Sequence, residues 1–453
     1  MIDNDKLGTV PVKKLLFELS VPAIFAQIVN VLYNLIDRIF IGHIDQIGSL
    51  ALTGVGVAMP LIMIISAFAA LAAMGGAPRA SIYLGKDDLK TAEKILGNSF
   101  SLLLIISLIL SISVYATLDK ILVLFGASEN TLLYARDYMK IYILGTVFVQ
   151  LSIGLNAFIT AQGFAKISMY TVCIGAVLNI VLDPIFIFVF KMGVKGAALA
   201  TIISQAVSAI WVLMFLRGEN TILKLKKKNM KLDKDIILPS IALGASPFIM
   251  QMTEGLIGIT FNRSALKYGG DIAVGTMTIL LSIMNFSMLP LIGLTQGAQP
   301  IISYSYGKND INRLKTTFSY LLKSSLIYSL TMWLLLMIVP NIFASLFTNN
   351  VALIDYSTPA IRMFFLVNVL LGIQIACQNT FIAIGNAKTS LFLAVLRIII
   401  LLIPLIIILP NFIEPQINGV FIAEPISDFV AVLTPAIMFI KTIKNSHTSI
   451  KLI

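Results

Sequence analysis

Asn179 and Asp183 lie four residues apart inside an apolar stretch of this 453-residue chain, and Asp37 lies deep in another. On a helix, positions i and i+4 share a face, so the carboxamide and the carboxyl of the first pair point the same way. Counting about 1.5 Å per residue from Lys166 places Asp183 roughly 26 Å along its segment. Asp37, counted from Lys14, reaches a similar depth. Thr201, six residues after Lys195 on a segment running the other way, comes to the same level. An ionisable group at bilayer depth costs about 2.5–3.5 kcal/mol on insertion scales, so each of these needs a reason. Two carboxyls close together in a low dielectric cannot both stay ionised without a proton or a cation. Oxygen-rich surroundings of this kind suit a small hard cation. Two readings are open: an exchangeable cation or proton site at Asp37, Asn179, Asp183 and Thr201, and a permanently protonated acid pair that serves helix packing.

Other polar residues fall where they are expensive. Gln27, Asn30, Asn34 and Asp37 occupy an arc of about 80° on one helix, a stripe that must line a cavity or another helix. Gln251, Glu254, Gly258 and Asn262 repeat that spacing in the second half of the chain. Arg397 lies about 14 Å into its segment by helix rise and needs a buried anion. Glu254, Glu424 and Asp428 are the candidates. A structural ion pair and a substrate-binding role both fit. Met59, Met63, Met250, Met284, Phe286 and Met288 could contribute to an apolar pocket for amphipathic or cationic ligands, since thioethers adapt and aromatic faces attract cations. Taken singly, each also fits plain packing or lipid contact.

These residues must be held by something, and composition says what. Hydrophobic residues make up 58% and charged residues 12%, against about 25% charged in soluble domains. Mean hydropathy is +0.94. Twelve apolar segments can be drawn: 15–41, 50–78, 95–118, 137–161, 167–190, 194–216, 236–262, 271–303, 314–340, 357–384, 389–411 and 418–441. Each is long enough to cross a bilayer. In lipid the backbone must satisfy itself within the segment, so the segments are helices. The first fourteen residues carry Asp3, Asp5, Lys6, Lys13 and Lys14 ahead of a long apolar run, which does not read as a cleavable leader.

The chain is also one half written twice. Gly163-Phe-Ala-Lys-Ile-Ser recurs 222 positions later as Gly385-Asn-Ala-Lys-Thr-Ser. The same offset pairs Gly85-Lys86-Asp87-Asp88 with Gly307-Lys308-Asn309-Asp310, and Pro78 with Pro300. Six spans per half is an even number, so both halves enter the membrane in the same sense and are related by an axis along its normal. The expected fold is an all-α integral membrane protein: 12 transmembrane helices in two six-helix lobes with pseudo-twofold symmetry. The N-terminal lobe is 1–216, a basic cytoplasmic linker 217–235, the C-terminal lobe 236–441 and a cytoplasmic tail 442–453.

The net charge of +11 is distributed as the positive-inside rule requires if both termini are cytoplasmic. Lys224 to Lys234 is the densest basic run, read as an anchor near anionic membrane lipid and not as a nucleic-acid site. Gly85-Lys86 and Gly307-Lys308 lack the upstream glycine of a phosphate loop, so no ATP-driven engine is encoded. Cys173 and Cys377 fall in apolar segments, and His43 and His447 at or beyond span ends, so no disulfide, metal framework or buried histidine relay is expected.

Asn34-Leu35-Ile36-Asp37-Arg38-Ile39-Phe40-Ile41-Gly42, Leu178-Asn179-Ile180-Val181-Leu182-Asp183-Pro184 and Gly196-Ala197-Ala198-Leu199-Ala200-Thr201, with the duplicated loops, resemble the multidrug and toxic-compound extrusion family over nearly the whole chain. The similarity is to its MepA-like bacterial branch. It implies a membrane transporter, not an enzyme, exporting amphipathic or cationic drugs in exchange for Na⁺ or H⁺, with no cofactor beyond the coupling ion. It also implies the bacterial inner membrane, and because one chain already contains both lobes a monomer is expected. In the N-terminal lobe the resemblance puts the cation on Asp37, Asn179, Asp183 and Thr201, with the main chain near Ala197 adding an oxygen. Some relatives emphasise a C-terminal-lobe site with a Glu on the seventh span and an Asp on the tenth. Glu254 matches the first, but 368–378 contains no carboxylate, so the N-terminal lobe is favoured. The alternative is a flippase for lipid-linked saccharides, whose cavity would need several cations for pyrophosphate; the spans securely offer only Arg397.

Overall fold

The computed structural model describes residues 6–445; residues 1–5 and 446–453, with His447 and most of the predicted tail, lie outside the described residues. Among the described residues the chain is helical throughout, without strands. Nine helices are long and apolar enough to cross a membrane, and two pairs bent by 59° (Glu129–Leu144 with Thr146–Ala161) and 51° (Val351–Phe364 with Asn368–Ala383) each form one more span. The 74-residue helix Lys234–Gly307 is two spans joined at Gly270, whose φ of 67° and ψ of −162° break it. Only glycine holds that backbone cheaply. The result is 12 transmembrane helices in two lobes of six.

The spans run longer than their apolar segments. The first is Val12–Gly42, the second Gly48–Gly85 and the third Leu89–Leu124; the fifth is Ala165–Val189, the sixth Val194–Arg217 and the ninth Ile311–Ile338. The eleventh is Ala387–Asn411 and the twelfth lies in Gln416–Asn445. Polar residues cap several of their ends. Asp88 accepts from the Thr91 amide at 2.9 Å and Asp310 from the Arg313 amide at 2.9 Å. Those hydrogen bonds hold the Asp88 carboxyl below the usual carboxylate range. The residues just before, Asp87 at φ 57° and Asn309 at φ 59°, are both left-handed. The duplicated Gly-Lys-x-Asp loops are therefore a repeated turn and N-cap, which accounts for their spacing without a phosphate.

Each lobe has cores of its own. Ile65, Leu118, Tyr138 and Ile187 belong to one in the N-terminal lobe, and Phe261, Met277, Phe364 and Phe421 to one in the C-terminal lobe. A further cluster crosses between lobes: Leu15, Leu16 and Leu19 of the first span pack with Ala298, Ile301, Leu321 and Ala376. This seam lies at the end of the molecule that carries the linker. A Cβ on Gly85 would collide with the Tyr304 carbonyl, and one on Gly307 with the Ile82 carbonyl. Those two glycines are repeat mates, so the second and eighth spans cross backbone to backbone. Arg79 Nη1 donates across the seam to the Ile236 carbonyl and to Ser240 Oγ, both at 2.6 Å. Phe68 and Phe248 meet edge to face at 5.0 Å.

Farther from the linker end, Asn30, Glu254, Asn262 and Asn285 are exposed, and Gly56, Gly255 and Gly258 face open space. Polar groups at membrane depth do not face lipid, so they mark a cleft between the lobes.

The linker is folded, not a loose tether. Gln162 Oε1 accepts from the Thr221 hydroxyl and the amides of Ile222 and Leu223 at 2.8–2.9 Å. Asn98 donates to the Asn229 carbonyl and accepts from the Asp233 amide at 2.7 Å. Lys226 Nζ meets the buried Glu93 at 2.6 Å.

Candidate cation site and its counterpart

The fifth span carries Asn179 and Asp183 into the N-terminal lobe, where both are buried. Asn179 Nδ2 lies 3.3 Å from Asp183 Oδ1 and 3.4 Å from Thr201 Oγ1 on the sixth span. Asp37 reaches in from the first span, and its carboxyl lies within electrostatic range of that of Asp183. The depth count thus brings three helices to one place. Three oxygens here, Asp37 Oδ1, Asn179 Oδ1 and Asp183 Oδ2, are buried with no protein partner. Buried polar atoms are nearly always paired. Three such acceptors on neighbouring side chains make a donor set that a proton or a small cation would satisfy.

Two residues of this site carry no obvious sequence signal. Tyr33 lies within electrostatic range of both acids, and Tyr138, from the bent fourth span, within range of Asp37 and Thr201. A tyrosine in an apolar helix reads as packing or as an interface belt; only its proximity to the acids marks these two. Directly after Asp183 and Pro184 the helix widens into a π segment, Ile185–Val189. Such bulges recur at functional sites. Proline at 184 cannot donate to the ladder, which lets the chain register shift there.

Other predicted residues sit elsewhere. Ala197 is fully buried one turn before Thr201, and its amide closes on the Gly193 carbonyl at 3.3 Å. Gln27 donates to Gln296 across the seam at 3.1 Å, and Asn34 Nδ2 returns to the Asn30 carbonyl at 2.6 Å. Met59 is half-buried and Met63 exposed on the second span, and Gln251 is half-buried on the seventh.

In the C-terminal lobe Arg397 selects two of its three candidate anions. Its Nε donates to Asp428 Oδ1 at 2.9 Å and its Nη2 to Glu424 Oε1 at 3.0 Å. Glu254 is exposed on the seventh span and takes no part in this ion-pair cluster. Ser427 Oγ donates to the Arg397 carbonyl at 3.0 Å. A small pocket beside the triad is lined by Met284, Met288, Phe364, Phe365, Asn368 and Leu371. Here too the fifth helix of its lobe is π-wound, at Leu396–Leu402, and the fourth is bent.

A family model described as MatE matches residues 22–185 and 247–408, one stretch in each lobe. The chain belongs to the MatE family. Multidrug export protein MepA of Staphylococcus haemolyticus (strain JCSC1435) is 26% identical to this MatE chain over 420 residues, covering 92% of both proteins. MepA of Staphylococcus aureus (strain MRSA252) is 25% identical over 401 residues, 88% of this chain and 87% of that one. Among solved structures, a MATE protein in the bent conformation superposes with a TM-score of 0.92 at 24% identity, covering 99% of each chain. An outward-facing multidrug resistance MATE transporter of the MOP superfamily gives 0.90, also at 24% identity and 99% of each. This MatE chain is a multi-pass membrane transporter, not an enzyme.

Proposed function

We propose that this transporter is a multidrug antiporter that exports amphipathic or cationic compounds in exchange for Na⁺ or H⁺, with the exchanged ion bound at Asp37 and Asp183. The observation that carries the reading is the set of three buried, unpartnered oxygens on Asp37, Asn179 and Asp183. Asn179 and Thr201 complete the shell, while Tyr33 and Tyr138 shape it. Drug affinity and cation affinity oppose one another by linkage, each weakening the other by the same factor.

The geometry fits alternating access. The lobes close on each other at the linker end and leave polar residues exposed along the cleft farther away. With the linker taken as cytoplasmic, a reading the basic residues support, this arrangement faces outward. The curated relatives are named as multidrug export proteins, which supports drugs as the cargo class. A lipid-pyrophosphate cargo is poorly served, because Arg397 is already held by two carboxylates. We read the protein as acting as a monomer, since one chain supplies both lobes and the cleft between them, in contact with membrane lipid along its flanks.

The test is transport in proteoliposomes with sodium and pH gradients imposed independently. Wild type is expected to drive ethidium export with one of them, and Asp37→Asn to lose that drive while still binding ethidium. Undiminished, gradient-dependent export by Asp37→Asn overturns the proposal.

A further inference from the structure

We infer that the C-terminal lobe holds a second monovalent-cation site, at Glu424, separate from the Asp37 and Asp183 pair. Charge counting starts the argument. Arg397 supplies one positive charge, and it is shared between two carboxyls at 2.9 and 3.0 Å. Fully ionised, the triad carries one uncompensated negative charge. Glu424 is 2% exposed, and its Oε2 is buried with no partner. That oxygen belongs to a residue lining the small pocket next to Arg397.

The neighbours narrow the ligand. The charged groups facing Glu424 are Asp428, one turn along its own helix, and Arg397 from the eleventh span. The eighth and tenth spans present Met284, Phe364, Phe365 and Asn368 to the same pocket, none of them charged. An isolated negative charge in such surroundings is costly. The compensating species must be small, positive and monovalent: a proton on Oε2, or Na⁺ between Glu424 and the Asn368 carboxamide. The triad is not sealed, because the Arg397 and Asp428 side chains keep 11% and 10% exposure. That exposure leaves the triad a path for exchange with its surroundings.

Position gives the site a consequence. It borders the 51° bend between Val351–Phe364 and Asn368–Ala383 and the π segment Leu396–Leu402. Covering the Glu424 charge weakens its hold on Arg397 Nη2, at the place where two helices of the lobe are already irregular. By the repeat, with an offset of 223 near the chain end, Glu424 answers to Thr201 of the N-terminal site. The two lobes thus place ion chemistry at the same helix position with different side chains.

The test uses dicyclohexylcarbodiimide, a lipophilic reagent that couples to protonated buried carboxyls, on the full-length protein in detergent, with peptide mapping by mass spectrometry. The expected result at neutral pH without sodium is modification of Glu424, unchanged in an Asp37→Asn/Asp183→Asn background and absent from Glu424→Gln. Protection by added sodium at constant ionic strength assigns Na⁺ as a competing occupant; no protection assigns the proton alone. Absence of Glu424 modification in wild type, with and without sodium, overturns the inference. Wild-type mapping decides the matter even if Glu424→Gln fails to fold. Because the readout is chemical modification and not transport, it stands apart from failure of the Asp37 proposal.

Discussion

In the N-terminal lobe Asp37 and Asp183 face each other, with a carboxamide and a hydroxyl for company. In the C-terminal lobe Glu424 and Asp428 are both gripped by Arg397. Arg38 follows Asp37 in sequence, but it is exposed. Among the described residues no lysine or arginine forms an ion pair with either N-terminal acid, so any positive charge that settles there must come and go. In the other lobe most of the compensating charge is bonded into the chain and cannot leave. The difference lies in how much countercharge each lobe's own chain supplies: none for Asp37 and Asp183, and one guanidinium for the two carboxyls of Glu424 and Asp428.

The sharpest way to break this contrast is to remove one acid from each side. Asp183→Asn is expected to abolish the cation dependence of drug affinity, a coupling of roughly 5–150-fold in typical antagonistic pairs. Asp428→Asn should retain it. Equal loss in both variants, measured by drug binding with and without the driving ion, would erase the distinction between lobes.

Removing the tethered charge should turn the C-terminal site into one like the N-terminal site, at a cost in stability. Arg397→Met leaves two buried carboxyls without their guanidinium and is expected to destabilise by about 3–5 kcal/mol. Adding Glu424→Gln and Asp428→Asn should recover most of that loss. Thermal melting in detergent checks both statements.

A smaller effect tests whether the lobes are equivalent where they touch. Gly85→Val and Gly307→Val each force a side chain into the partner's backbone, an overpacking cost of about 1–3 kcal/mol on the closed seam. Both should shift the population toward an arrangement open at the linker end. A cysteine at Phe248 should then react faster with a thiol reagent applied from that side. Unchanged reactivity would show that the seam does not gate the cleft.

Much of this architecture was readable beforehand because membrane burial writes long apolar runs, and because a duplication repeats its turns. The N-terminal site was readable for a related reason: at 1.5 Å per residue, depth converts sequence position into level, and Asp37, Asn179, Asp183 and Thr201 share a level. Three things were not. The choice of Arg397 between Glu254, Glu424 and Asp428 depends on helix rotation, which depth does not supply. Tyr33 and Tyr138 look like any membrane tyrosine until the acids are beside them. The docking of the linker rests on Gln162 and Asn98 accepting backbone amides, and a carboxamide carries no pattern that names such a distant partner.

The docked linker fixes where the halves can pivot. From Thr221 to Asp233 the connector is bonded to the N-terminal bundle, so once the Arg79 bonds to Ile236 and Ser240 are released the joint is the start of the seventh span at Lys234. The helix rising from that joint runs over 234–270, a lever about 55 Å long. A tilt of about 10° at its foot displaces its far tip by roughly 10 Å, so a modest swing is enough to open a drug-sized passage.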